Sequence, residues 1–147
     1  MNLVDSSAWL EYFADGPNAG FFAPAIERSR DLVVPTVVVF EVYKRVLQQR
    51  TERAALEAVS ILQHGQLIEL TASLAIAAAR ISQHDKLPMA DSIILATGRA
   101  QNATIWTQDS DFEGMDRVKY RAAKCEHPSS VLFAHTDAVA IALAADV

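Results

Sequence analysis

The chain has 147 residues, of which 51% are hydrophobic and 21% charged, and its formal net charge is −5. This length suits one compact domain, and no apolar run reaches the roughly 20 residues of a membrane span. A single cysteine excludes an internal disulfide. The N-terminus shows no basic stretch before a long apolar segment, so we expect no secretory signal and a cytoplasmic location.

Short apolar segments alternate with amphipathic ones through the first half of the chain. Ser6 and Ser7 are predicted to cap the first helix, and Thr36 is predicted to cap a later one. Valines at 37–39 favour a strand by propensity, but the charge and apolar spacing of 40–49 favours a helix, and we predict a helix here. The predicted elements are strands at 2–4 and 32–34 and helices after Ser6 and Ser7, at 19–29, at 40–49 and at 51–64.

The second half continues the same alternation up to about residue 120. The predicted strands are 67–70, 103–107 and a last edge strand at 118–120, and the predicted helices are 71–83 and 88–101. Beyond them, 136–146 is alanine-rich and able to form a helix whose role the sequence does not indicate.

Short buried strands between longer helices predict an α/β fold, a three-layer α/β/α sandwich with a short, mainly parallel central sheet. In such sheets, ligands bind beyond the carboxyl ends of the strands. Asp5 and Asp109 come at or just after such ends, while Glu41 and Asp91 lie in the first turns of helices. We therefore expect four acids from distant positions to meet at one cleft.

Four aspartates, at 5, 91, 109 and 111, adjoin apolar sequence, and most have few basic neighbours. Singly, each has an ordinary explanation as a cap, a turn residue or a favourable charge near a helix N-terminus. Together they offer the hard oxygen ligands that Mg²⁺ or Mn²⁺ binds, and a cation would offset the cost of burying them. We predict a divalent metal site formed by Asp5, Asp91, Asp109 and Asp111.

Glu41 allows two interpretations. Lys44 and Arg45 follow it by three and four residues, so Glu41 can form an ordinary surface ion pair with either base on a helix. Alternatively, Glu41 joins the acidic cluster and the two bases contact phosphates. The net acidity of the chain argues against nucleic acid binding over its whole surface but not at such a local patch.

Four sequence segments, at 3–9, 35–42, 87–96 and 105–112, carry these acids in a definite order and spacing. Together they resemble PIN-domain ribonucleases, and most closely the VapC-type toxins of bacterial toxin–antitoxin pairs. The resemblance covers about residues 1–120, which implies a PIN-like nuclease domain at 1–120 and a C-terminal extension of unknown role at 121–147.

The resemblance implies a metal-dependent endoribonuclease, the toxin of a type II pair, that hydrolyses RNA phosphodiester bonds with Mg²⁺ or Mn²⁺. It implies a cognate antitoxin and a homodimer. It leaves open whether Asp109 or Asp111 is the main ligand, and which RNA is cut. The implied residues are catalytic Asp5, Glu41, Asp91 and Asp109, supporting hydroxyls Ser6 and Thr107, and RNA-binding Lys44 and Arg45.

The main alternative is a non-catalytic PIN-like module in which the acids bind a basic segment of a partner protein. A phosphatase of the haloacid dehalogenase type would need Asp-x-Asp after the first strand, and Ser7 stands at the second of these positions. That enzyme class is therefore not supported.

Overall fold

The structure is a computed structural model that describes residues 1–124. Its strands are β1 (Asn2–Val4), β2 (Leu32–Pro35), β3 (Gln66–Ile68), β4 (Thr104–Thr107) and β5 (Val118–Tyr120). Its helices are α1 (Ser6–Phe13), α2 (Ala19–Glu27), α3 (Thr36–Gln49), α4 (Glu52–Leu62), α5 (Ala72–Asp85) and α6 (Met89–Ala100), with short 3-10 turns at Ser29–Asp31 and Ser110–Phe112. The predicted helix at 136–146 and most of the predicted extension lie outside the described residues.

The five strands form one sheet in the order β3-β2-β1-β4-β5, and every neighbouring pair is parallel. The central strands are in register, with Val4 opposite Trp106. The ladder continues one residue further, because the Asp5 amide donates to the Trp106 carbonyl at 2.9 Å. Asp5 therefore lies at the carboxyl edge of the sheet, beside the end of β4.

Helices cover both faces of the sheet. Gly98 of α6 lies so close to the face carrying Leu3 and Ile105 that a Cβ at residue 98 would come within 2.8 Å of the Ile105 Cδ1 atom. On the opposite face, the ring of Trp106 lies 5.3 Å from that of Phe21 in α2. The predicted three-layer sandwich and the parallel sheet are confirmed. Within residues 1–124, no helix has both the length and the apolar character needed to cross a bilayer.

Two predicted helix caps are wrong. Asp5, not Ser6 or Ser7, is the N-cap of α1, since its Oδ1 accepts from the Ser6 amide at 2.8 Å. The two serines lie inside the first turn. Thr36 is itself the first residue of α3 and makes no capping hydrogen bond, because Pro35 ends β2 and the helix begins directly after it.

The predicted helix at 40–49 is present, but it begins earlier, at Thr36, so the valines at 37–39 are helical as well. Val38, Val42 and Val46 are the buried residues, at i, i+4 spacing, whereas Val39 is only partly buried. Burial of one helix face outweighs the strand propensity of these residues. The third strand spans 66–68 rather than the predicted 67–70, and it ends at Ile68 because its partner β2 ends opposite that residue, at Pro35.

Candidate metal centre

The five predicted acidic residues lie around the carboxyl edge of the sheet. Asp5 follows β1, Asp109 follows β4 and Asp111 lies in the adjoining 3-10 turn, while Glu41 comes from α3 and Asp91 from the first turn of α6. Burial raises the pKa of Asp91, and the charges of the other four acids raise it further, as expected of neighbouring carboxylates. The structure thus brings together acids that are up to 106 positions apart in the sequence.

Asp5 is the most buried of these acids, at 2% exposed. Its Oδ2 atom accepts from the Ser7 hydroxyl at 2.7 Å and from the Thr107 hydroxyl at 2.9 Å. Burial raises the pKa of Asp5, and these hydrogen bonds oppose that effect without cancelling it. The Asp5 carboxylate is therefore held in one orientation by donors from α1 and from the end of β4.

Thr107 connects Asp5 to the Asp109 turn. Its side chain is fully buried, and while its hydroxyl donates to Asp5 it accepts from the Asp109 amide at 2.9 Å. The Asp109 Oδ1 atom in turn accepts from the Asp111 amide at 2.9 Å and so starts the 3-10 turn. One hydroxyl thus fixes a buried carboxylate and the backbone that carries the next two acids.

Ser6 links Asp5 to Glu41. Its hydroxyl donates to Glu41 Oε1 at 3.1 Å and lies 3.4 Å from Asp5 Oδ1. Burial is the main cause of a raised pKa at Glu41, the carboxylates of Asp5 and Asp109 add to it, and the Ser6 hydrogen bond and the charge of Lys44 oppose it. Both predicted supporting hydroxyls, Ser6 and Thr107, therefore contact the acidic residues.

Asp91, Asp109 and Asp111 form the compact part of the cluster. One carboxylate oxygen of each lies within 4.8 Å of one from each of the others. Burial, followed by the neighbouring carboxylates, raises the pKa of Asp91 to about 7. Three hard oxygen donors at this spacing suit Mg²⁺ or Mn²⁺, and a cation would favour the ionised form of all three. This trio includes both Asp109 and Asp111 but not the buried Asp5.

The two predicted RNA-binding bases are both exposed on α3. The Lys44 ammonium lies 5.7 Å from the ring centroid of Phe40, and its charge lowers the pKa of Glu41. Lys44 therefore borders the acidic cluster. Arg45 is one position further along the same helix.

Sequence reasoning missed three polar residues that support the site. Ser7 was predicted only as a cap, yet it donates to Asp5, and its hydroxyl accepts from the Gln108 amide at 3.2 Å. The Gln108 side chain in turn accepts from Asn18 at 2.7 Å. The position of Ser7, two residues after Asp5, was the available signal, whereas Asn18 follows Gly16-Pro17 and looks like an ordinary turn residue.

Comparison with known proteins agrees with this architecture. A PIN domain profile matches residues 3–118, and no curated protein matches at the level of sequence. A toxin–antitoxin complex from Klebsiella pneumoniae is 21% identical, with a TM-score of 0.69 over 81% of this chain and 96% of that chain.

Two other solved structures have the same fold. Mycobacterium tuberculosis VapC20, a toxin that cleaves the sarcin–ricin loop, is 21% identical, with a TM-score of 0.63 over 76% of this chain and 92% of that chain. VapBC2 from Rickettsia felis, bound to a DNA fragment from its promoter, is 12% identical, with a TM-score of 0.64 over 82% of this chain and 97% of that chain. At these identities the similarity shows a shared fold.

Proposed function

The chain belongs to the PIN domain family, and we propose that it is a Mg²⁺- or Mn²⁺-dependent endoribonuclease, the toxin of a type II toxin–antitoxin pair. The observation that carries this proposal is the group of three carboxylates within 4.8 Å of one another, backed by the buried Asp5. Carboxylates this close together repel one another, and a divalent cation bound between them would offset that repulsion.

In this proposal Asp91, Asp109 and Asp111 are metal ligands. Asp5, the fourth predicted ligand, adds a buried carboxylate to this site, with its orientation set by Ser7 and Thr107. A divalent cation here supplies Lewis acidity toward the scissile phosphate and the attacking water.

The remaining proposed roles concern the nucleophile and the substrate. Glu41 is held by Ser6 and has a raised pKa, so it suits orienting the attacking water. Lys44 and Arg45 grip phosphates that flank the scissile bond. The substrate is RNA with single-stranded or looped character, since its backbone must enter the cleft.

We further propose that the protein acts in the cytoplasm and that a cognate antitoxin blocks the acidic cleft. The similar structures from Klebsiella pneumoniae and Rickettsia felis are of toxins with their antitoxins. A basic antitoxin segment would be attracted to the same carboxylates that hold the metal. Expression without the antitoxin is expected to slow growth, and Asp5→Ala is expected to relieve this effect.

The proposed homodimer uses the outer face of α5 and α6. Ala78 is the buried residue of α5, while Ile76 is 56% exposed and Met89, at the start of α6, is 75% exposed. A groove of about 400 Å³ runs between the two helices. We assign this apolar face to a second copy of the chain. Met89→Glu, in the lining of this groove, should then shift the sedimentation coefficient to that of a monomer, while Leu56→Glu, at an exposed leucine of α4, should not.

Cleavage of cellular RNA by the purified protein tests the proposed function. With Mg²⁺ or Mn²⁺ we expect new 5′ ends at defined sites. Asp91→Asn should reduce cleavage at least about 100-fold, because loss of a residue that only supports a metal ligand already reduces activity by up to that factor. Asp116→Asn, at an exposed aspartate of the 113–117 segment, is the matched control and should retain activity. Equal cleavage by wild type and Asp91→Asn would refute the catalytic role and favour the non-catalytic module.

A further inference from the structure

A buried asparagine connects the acidic cluster to two other parts of the chain. Asn18, at the start of α2, is 1% exposed. Its Nδ2 donates to Gln108 Oε1 at 2.7 Å and to the Ala122 carbonyl at 2.9 Å. Its backbone amide donates to Glu11 Oε1 at 2.8 Å. Asn18 thereby ties α1, the end of β4 and residue 122 to one point.

A continuous set of hydrogen bonds runs from Asn18 to Asp5. Gln108, which Asn18 holds by its side chain, donates its backbone amide to the Ser7 hydroxyl at 3.2 Å. Ser7 donates to Asp5 Oδ2 at 2.7 Å. Gln108 also stands between Thr107 and Asp109, so its position sets where the Asp109 turn leaves β4.

The Asn18 amide is oriented by its two donor bonds. Among the residues that the structure describes, its buried Oδ1 atom has no hydrogen-bond donor. Leaving a buried carbonyl unpaired costs free energy. The amide nevertheless keeps this orientation, in which both Nδ2 hydrogens bind acceptors from different segments.

Arg121 provides a second anchor beside the first. Its backbone amide donates to the Thr107 carbonyl at 3.0 Å, and its guanidinium lies 4.2 Å from the ring centroid of Phe21 in α2. Residues 121 and 122 therefore contact α2 and the end of β4, directly after the predicted domain boundary at 120. The backbone around the Asp109 turn is held from both sides.

We propose that Asn18 is a positioning residue for the carboxylate site, which acts through Gln108 and Ser7 to keep Asp5 and the Asp109 turn at a fixed separation. This inference rests on the proposed metal site. Removing a residue that orients metal ligands typically lowers the metal affinity about 10- to 100-fold. We expect an effect in this range when Asn18 is replaced.

The test compares Asn18→Ala with Asn2→Ala in the full chain. Asn2 is the matched control, because its Oδ1 accepts from Trp106 Nε1 at 3.0 Å at the other end of β1. In EDTA, hydrogen exchange of the Gln108 and Asp109 amides should become several-fold faster in Asn18→Ala and stay unchanged in Asn2→Ala. Calorimetry should show Mn²⁺ binding about tenfold weaker in Asn18→Ala alone.

Unchanged exchange at Gln108 and Asp109 in Asn18→Ala, or Mn²⁺ affinity within twofold of wild type, would overturn the proposal. Gln108→Ala removes the acceptor while keeping the Asn18–Ala122 bond, and it should weaken Mn²⁺ binding in the same way; this variant decides the question if Asn18→Ala does not fold. Absence of Mn²⁺ binding by wild type would instead refute the metal site, and exchange in EDTA would still decide the role of Asn18.

Discussion

Replacing Asp91 with asparagine should stabilise the metal-free protein at neutral pH. Burial and the neighbouring carboxylates raise the pKa of this group from an ordinary 3.8 to about 7. For a fully desolvated group, that difference would correspond to about 4 kcal/mol above pH 7. Asp91 is only partly buried, so solvent screens much of the repulsion, and we expect Asp91→Asn to add about 1 to 2 kcal/mol to the free energy of unfolding.

The pH dependence gives this prediction a definite sign. A carboxyl whose pKa is higher in the folded than in the unfolded state contributes stability that is fully present below pH 3.8 and is lost as the pH rises to about 7. The advantage of Asp91→Asn should therefore be small near pH 4 and largest above pH 7.

Urea unfolding in EDTA at pH 4.5 and pH 8 measures this difference, with Asp116→Asn as the control. Added Mn²⁺ should stabilise wild type but not Asp91→Asn, because only a protein that binds the cation gains from it. A variant less stable than wild type at pH 8 without metal, or a difference independent of pH, would refute the electrostatic reasoning.

Three further predictions concern packing, the buried hydroxyl and RNA binding. Gly98→Ala should destabilise the protein by about 1–3 kcal/mol in urea unfolding, because its Cβ would meet Ile105; Gly20→Ala, in α2 with open space around it, should instead be neutral or stabilising, and equal effects would contradict the close approach of α6. Thr107→Val should cost about 1–3 kcal/mol, because it removes one of the donors to the buried Asp5 and the acceptor of the Asp109 amide, while Thr107→Ser keeps the hydroxyl and should cost less; the reverse order would argue against the hydrogen bond. Filter retention measures how the RNA-binding constant depends on salt. Lys44→Gln and Arg45→Gln should each reduce the slope of the logarithm of this constant against the logarithm of salt concentration by about one. A residue whose replacement leaves the slope unaltered does not contact phosphate.

Local sequence patterns predicted the sheet and the acidic positions well. Asp5 could be placed because it ends a short apolar strand, and Asp109 because it follows another. Parallel strands align their carboxyl ends, so their convergence followed from topology. The edge strand at Val118–Tyr120 was predicted with the bounds that the structure shows.

Features that depend on partners distant in sequence were not predictable in this way. Choosing Asp5 over Ser6 as the cap of α1 depends on backbone geometry at the end of β1. The extent of β3 is set by the length of β2. The hydrogen bonds of Asn18 join residues 90 and 104 positions apart, and no local pattern marks such a contact.

The central claim is that Asp91, Asp109 and Asp111 share a divalent cation at the edge of this sheet. Isothermal titration of the metal-free protein with Mn²⁺ tests it most directly. We expect saturable binding by wild type that is lost in Asp91→Asn and retained in Asp116→Asn. No binding heat with wild type, or the same heat from Asp91→Asn, would contradict the account.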